Sequence, residues 1–270
     1  MDYREYVERL RRWESVASIR EYGRVPENGR EYPLLTLTTP GSRELVVTAG
    51  FHGEEPAGPL TLMEHFGELA DLARRHDVAL RVFPCVNPSG FEGGHRYNAA
   101  GEKPNNDFLR YEVQPGVLAE EVQVGEAFLA WHPNKKVPKE TLALHEELER
   151  YPPPVGALDL HQDAWVKAKC FYAYYFNDPA PYRELVRQSL AHAKVAIHLA
   201  VHNQLRTDRW GLIVHHDGSN SDWFHRRGVP HVAVLETSTM TPMEKCHAIN
   251  RTWIEGFIAL VARTRAPPSR

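Results

Sequence analysis

Sulfur is scarce in this chain, with 3 Cys and 4 Met among 270 residues. Cys85, Cys170 and Cys246 are odd in number, far apart and without Cys-x-x-Cys spacing, which argues against a disulfide framework or a thiolate zinc site. Long hydrophobic runs are also lacking: none approaches the length of about 18 residues that spans a membrane. The charged start Met1-Asp2-Tyr3-Arg4-Glu5-Tyr6 does not resemble a signal peptide. The expectation is a cytoplasmic protein with no membrane partner. A surplus of one charge is missing too, because the formal net charge is only -3 and both signs are interspersed. That leaves no basic stripe for nucleic acid and favours a small-molecule or peptide substrate. No internal repeat, low-complexity tract or domain boundary stands out. With 42% hydrophobic residues, the chain can bury one large core, so residues 1–270 are read as a single domain.

The pattern alternates strands and helices. Tyr6, Leu10, Trp13, Val16 and Ile19 recur at three- and four-residue steps and predict an N-terminal helix over residues 1–20. Strands are expected at Leu34–Thr38, Leu45–Ala49, Ala79–Phe83, Ala157–Leu160, Cys170–Phe176, Leu212–Val214 and His231–Leu235. Helices are expected at Pro59–Arg75, Lys139–Arg150 and Pro181–Leu199. A last helix should start at Thr241-Pro242-Met243-Glu244, which has the form of a capping box. This is an α/β rhythm, for which a central mixed, mostly parallel twisted sheet flanked by helices is the expected fold. Residues 87–138, rich in Gly, Pro and Asn, are too long for a simple connection and predict an active-site loop region.

Three apolar strands end in polar residues. His52 and Glu55, in His52-Gly53-Glu54-Glu55, follow Leu45–Ala49; His161 closes Asp159-Leu160-His161; Glu236 closes His231–Leu235. The carboxyl ends of parallel strands converge on one edge of an open sheet, so groups distant in sequence meet there. Two imidazoles and a carboxylate are a catalytic zinc set, with one position left for water. Glu236 would then be the base and acid that moves the water's proton to the leaving amine. Asp159 is read as structural, on the strand face opposite His161. A second His-x-x-Glu, His65-Phe66-Gly67-Glu68, falls among Leu60, Met63, Phe66, Leu69 and Leu72 at helical spacing and is read as a helix flank.

Beside these readings stands a resemblance to the zinc carboxypeptidases of the carboxypeptidase A-like clan, which also holds murein peptide amidases and the succinylglutamate desuccinylase/aspartoacylase branch. Tyr22 to Arg30 resembles the Gly-x-Ser-x-x-Gly-Arg segment of that family, and His52-x-x-Glu55 matches its first ligand pair. Cys85-Val86-Asn87-Pro88-Ser89-Gly90 resembles its Asn-Pro-x-Gly turn, Asp159-Leu160-His161 its third ligand, and Asp222-Trp223 its Asp-Trp. Glu236 lies 14 positions beyond Asp222, as the family keeps. The resemblance spans about residues 20–240. It implies one zinc ion per chain on His52, Glu55 and His161, and Arg96 as the residue that polarises the scissile carbonyl and holds the oxyanion.

Two departures bear on substrate. In Lys103-Pro104-Asn105-Asn106-Asp107-Phe108, Asn105 keeps a family Asn, but Asn106 stands where the family has an Arg for the substrate's terminal carboxylate. A neutral amide cannot make bidentate charge-assisted bonds. Arg110, Lys167, Lys169, Arg206 or Arg209 are candidate replacements. The family's mobile Tyr falls on Val214, beside His215 and His216, either of which could donate to substrate. Ser221 resembles the position that reads the terminal side chain, and suggests neither a bulky-apolar nor a strongly basic preference. The leading expectation is a zinc-dependent hydrolase of amide or peptide bonds, carboxypeptidase-like, acting on a small peptide or N-acyl amino acid. An N-acyl amino acid deacylase is expected less, since 34 residues after Glu236 leave no room for a further C-terminal domain. A murein peptide amidase and a catalytically silent metal- or peptide-binding module are the other readings.

Overall fold

The computed structural model describes residues 1–27, 29–105, 108–201 and 205–264. The chain runs α1 (Tyr3–Arg11), β1 (Ser18–Glu27), β2 (Arg30–Thr38), β3 (Arg43–Ala49), α2 (Ala57–Arg75), β4 (Val78–Phe83) and α3 (Pro88–Gly93). It continues through β5 (Leu109–Gln114), β6 (Val117–Ala119), β7 (Ala130–Pro133), α4 (Lys139–Glu149), β8 (Gly156–Asp163), β9 (Cys170–Tyr175) and α5 (Ala180–Ser189). It ends with β10 (Lys194–Val195), β11 (Leu212–Ile213), α6 (Asn220–Arg226), β12 (His231–Ser238) and α7 (Met243–Arg263). The large sheet has the order β1-β2-β4-β3-β8-β12-β9-β10, with β11 also on β9. Its centre, β4-β3-β8-β12, is parallel, whereas β1-β2, β2-β4 and β12-β9 pair antiparallel. The chain is thus a single mixed α/β domain.

Alternation along the central strands divides the core. Leu45 and Val47 of β3, Leu158 and Leu160 of β8, and Ala233 and Leu235 of β12 pack with Leu62, Met63 and Phe66 of α2 and Trp253 and Phe257 of α7. The intervening Val46, Ala157 and Val232 join Phe108, Leu144, Trp223 and Phe224 on the other face. Continuing that second register along β8 and β12 brings up Asp159, His161, Val234 and Glu236.

Three expectations about elements need correction. The N-terminal helix ends far short of residue 20, because Ser18 to Glu27 is captured as a strand by β2, with Ile19 opposite Leu37. The helix expected to reach Leu199 stops at Ser189, and Lys194–Val195 instead pairs with Cys170 and Phe171 of β9. The capping box before α7 does not form: Thr241 Oγ1 donates to the Cys170 carbonyl at 3.2 Å, and Pro242 occupies the N-cap position without a side-chain bond. Within residues 87–138 the chain builds α3 and a small antiparallel sheet of order β6-β5-β7.

Candidate active site

His52 sits in the turn between β3 and α2, and two glycines shape that turn. Gly50 adopts φ +70°, and a Cβ on Gly53 would lie 1.8 Å from the Gly90 carbonyl carbon. Asn87 braces the same turn from outside, donating from Nδ2 to the Phe51 carbonyl at 3.2 Å and accepting from the Gly90 amide at 2.9 Å. His161 and Glu236 lie inside their strands rather than at the last residue, as Cα partners across the parallel β8-β12 ladder. Strand pairing therefore sets their spacing.

Donor atoms of His52, Glu55 and His161 all fall within 4.8 Å of one another, and all three residues are buried. Glu55 stands between the imidazoles: Oε1 is 2.7 Å from His52 Nδ1 and Oε2 is 2.9 Å from His161 Nδ1. Oε2 also accepts from the Gln162 amide at 3.0 Å. On its far side His161 Nε2 is 3.0 Å from Asp159 Oδ2, and Thr48 Oγ1 donates to Asp159 Oδ1 at 2.8 Å. Asp159 and His161 therefore share a strand face, because a period of two brings i and i+2 to the same side. The opposite placement read from sequence is wrong. A carboxylate on Nε2 leaves Nδ1 as the nitrogen for a cation, as in carboxylate–histidine–metal arrangements, so the three residues fit a divalent ion.

Burial raises the Glu55 carboxyl, but His52 and His161 outweigh it and hold the group well below the usual carboxylate range. Burial lowers His52, and it also opposes charge on His161, yet Asp159 and Glu55 push His161 well above its ordinary value. Burial raises Glu236 well above the usual carboxyl range, against the pull of His161. Its Oε2 is enclosed and has no hydrogen-bond partner.

These groups open on a cavity of about 420 Å³. Arg96, Asn105, His215 and Glu236 line it, as do the three candidate ligands. Arg96 Nη1 lies 3.2 Å from both Glu54 Oε1 and Glu55 Oε1, and Asn105 Nδ2 lies 3.4 Å from His161 Nε2. His215 Nε2 is 3.2 Å from Glu121 Oε2.

A family model described as zinc carboxypeptidase, Peptidase M14, matches residues 5–259. The chain belongs to the zinc carboxypeptidase family. It is similar over 97% of its length to the structure of a Shewanella amazonensis SB2B protein assigned as a metallopeptidase, with TM-score 0.75, 26% identity and 94% of that chain covered. A metallo-carboxypeptidase from Burkholderia cenocepacia shares the fold, with TM-score 0.65 and 15% identity over 94% of this chain and 67% of the other. Carboxypeptidase 2 of Trichophyton rubrum is 33% identical over 125 residues, 40% of this chain and 23% of that protein. Murein peptide amidase A of Escherichia coli K12 is 40% identical over 78 residues, 28% of this chain and 31% of that protein. The matches span less than a third of either curated relative.

In this member of the zinc carboxypeptidase family several expected substrate residues stand elsewhere. Asn106 lies outside the described residues. His216 turns away from the cavity, with Nδ1 3.1 Å from Asp222 Oδ1 and its ring against Phe176 and His225. Ser221 is buried in α6, and Ser219, two residues earlier, reaches the cavity wall instead. Among the described residues the cations on that wall are Arg96 and Lys103, whereas Arg110, Lys167, Lys169, Arg206 and Arg209 do not line it. Sequence reasoning passed over Lys103, Tyr172 and Tyr174. The two tyrosines alternate along β9 beside Glu236, a signal the aromatic run carried. It also passed over the acidic wall of Glu120, Glu121, Asp163 and Asp217, which is scattered through the sequence.

Proposed function

We propose that this zinc carboxypeptidase hydrolyses an amide bond of a small peptide, with His52, Glu55 and His161 as ligands of one zinc ion, Glu236 as base and acid, and Arg96 as electrophile. Zinc held there would act as a Lewis acid on the carbonyl and lower the pKa of water. The observation that carries the reading is Glu236, which lines the cavity at paired register with His161 and has an enclosed carboxyl oxygen, Oε2, without a hydrogen-bond partner. A carboxyl with a raised pKa can take a proton from the attacking water and return it to the leaving nitrogen. The Arg96 guanidinium stabilises the negative charge that develops on the carbonyl oxygen, an interaction made only in the transition state.

Lys103 supports recognition of a terminal carboxylate, as a point charge rather than a bidentate clamp. The acidic wall favours a substrate that also carries an ammonium group. The same wall disfavours N-acyl amino acids, which have no free amine. A murein peptide amidase activity is the second reading, favoured by the 40% identity to that enzyme over 78 residues.

Glu236→Gln keeps the shape but cannot carry the proton. Its turnover should fall about 10²- to 10⁴-fold with zinc content unchanged, measured on a peptide cleaved by the wild type. Full activity in that variant would end the proposal. Lys103→Ala should raise KM about tenfold or more for peptides with a free terminal carboxylate and leave their amidated counterparts unaffected. Equal effects on both would remove Lys103 from carboxylate binding.

A further inference from the structure

A second group of ligand-type side chains lies outside the cavity, where α2 meets α7. Glu64 and His65 stand on α2 and His247 on α7, and one donor atom from each lies within 4.8 Å of the others. His247 Nδ1 is 3.3 Å from Glu64 Oε2, and the His65 and His247 rings meet edge-on with centroids 5.7 Å apart. His247 Nε2 is enclosed and has no hydrogen-bond partner. The two helices are held in this register by other groups. Asn250 Nδ2 donates to Thr61 Oγ1 at 3.0 Å in the buried seam, about one helical turn from each imidazole, and Arg251 pairs with Glu68 at 2.6 Å outside it. The His65-x-x-Glu68 spacing is thus not the relevant pair. Glu68 is taken by Arg251, while His65 meets an imidazole from another helix.

We infer that Glu64, His65 and His247 form a second site for a divalent transition ion, zinc or a close relative, which pins α2 to α7. Two imidazoles and one carboxylate suit such an ion, whereas calcium and magnesium ask for oxygen ligands throughout. Bond lengths of about 2.0–2.1 Å place tetrahedral donors roughly 3.3 Å apart, so the present spacing closes with small side-chain rotations. The competing contact of Glu64 Oε1 with Arg9 is a 3.9 Å surface pair that yields readily. None of the three residues lines the catalytic cavity. The site is therefore a staple between helices, independent of the hydrolytic centre.

Equilibrium dialysis of metal-free protein against Zn²⁺ tests this by difference. Wild type should bind one more equivalent than the His65→Gln/His247→Gln double variant, whatever the catalytic site contributes. Glu64→Gln, an exposed change that spares the seam, should weaken the same equivalent at least tenfold. In a His52→Ala background, Zn²⁺ should still raise Tm, and the rise should vanish when His65 and His247 are also replaced. Equal zinc counts in wild type, the double variant and Glu64→Gln would overturn the site. So would a Tm rise in the His52→Ala background that survives loss of both imidazoles.

Discussion

Asp159 decides which nitrogen His161 offers. Its Oδ2 faces Nε2 at 3.0 Å, while its Oδ1 is anchored by Thr48 Oγ1, which in turn accepts from Asn220 Nδ2 at 3.1 Å. The imidazole is held between two carboxylates, and the Nδ1 side turns toward Glu55. Partners of this kind, once removed from the metal, typically carry a factor of about 10 to 100 in metal affinity. Asp159→Asn keeps the size and the Thr48 contact but loses the negative acceptor. Its zinc affinity should fall by about that factor in chelator competition, with the fold intact by circular dichroism. Unchanged affinity would reduce Asp159 to a packing residue. The two-residue period of a strand puts Asp159 and His161 on one face, and the sequence reading, which set them on opposite faces, missed this partnership. By contrast, Asn105 was named only through the resemblance, and its place beside His161 could not be read, because a loop has no periodicity to say which way a side chain turns.

At the scale of elements, α3 closes tightly on the β3-α2 turn that forms the platform for the candidate ligands His52 and Glu55. A Cβ at position 53 would lie 1.8 Å from the Gly90 carbonyl carbon and 2.3 Å from the Phe91 amide nitrogen. Both are backbone atoms, so no rotamer change relieves the clash. Gly53→Ala should destabilise the protein by about 3 kcal/mol, read from urea midpoints at unchanged m-value, and lower zinc affinity by displacing His52. A variant as stable as wild type would mean that the turn can move freely. The platform's parts were readable in order, His52-x-x-Glu55 and then Asn87-Pro88-Ser89-Gly90, since each has a local backbone requirement. The first strand was not. Trp13, Val16 and Ile19 satisfy a helical period, and only the long-range pairing of Ile19 with Leu37 assigns the segment to the sheet. The same applies to Lys194–Val195, which is extended because β9 offers an edge to it.

For the whole molecule, two buried groups of α4, on the layer opposite α2 and α7, contribute to the pH dependence of stability with opposite sign. His145 of α4 packs on Phe108 and Trp223, with ring centroids 4.6 and 4.9 Å away, and burial, aided by Arg227 and Lys135, pushes it down to about 4. Glu140, on the same helix, is pushed up to about 7, chiefly by burial, and accepts from Asn98 Nδ2 at 3.2 Å. The two act with opposite sign. Between pH 6.5 and 4 the unfolded chain protonates His145 while the folded chain does not, so this stability is present above 6.5 and lost as pH falls. Between pH 4.5 and 7 the folded chain keeps the Glu140 proton that the unfolded chain has released, so stability falls as pH rises. Each group is worth roughly 2 kcal/mol between pH 5 and pH 7.5, and in wild type they partly cancel. His145→Phe should therefore raise the urea midpoint at pH 5 relative to pH 7.5. Glu140→Gln, which keeps an acceptor for Asn98, should raise it at pH 7.5 relative to pH 5. If neither variant changes the difference between the two midpoints, these groups titrate alike in both states, and the layer around α4 must be open to water in the folded protein.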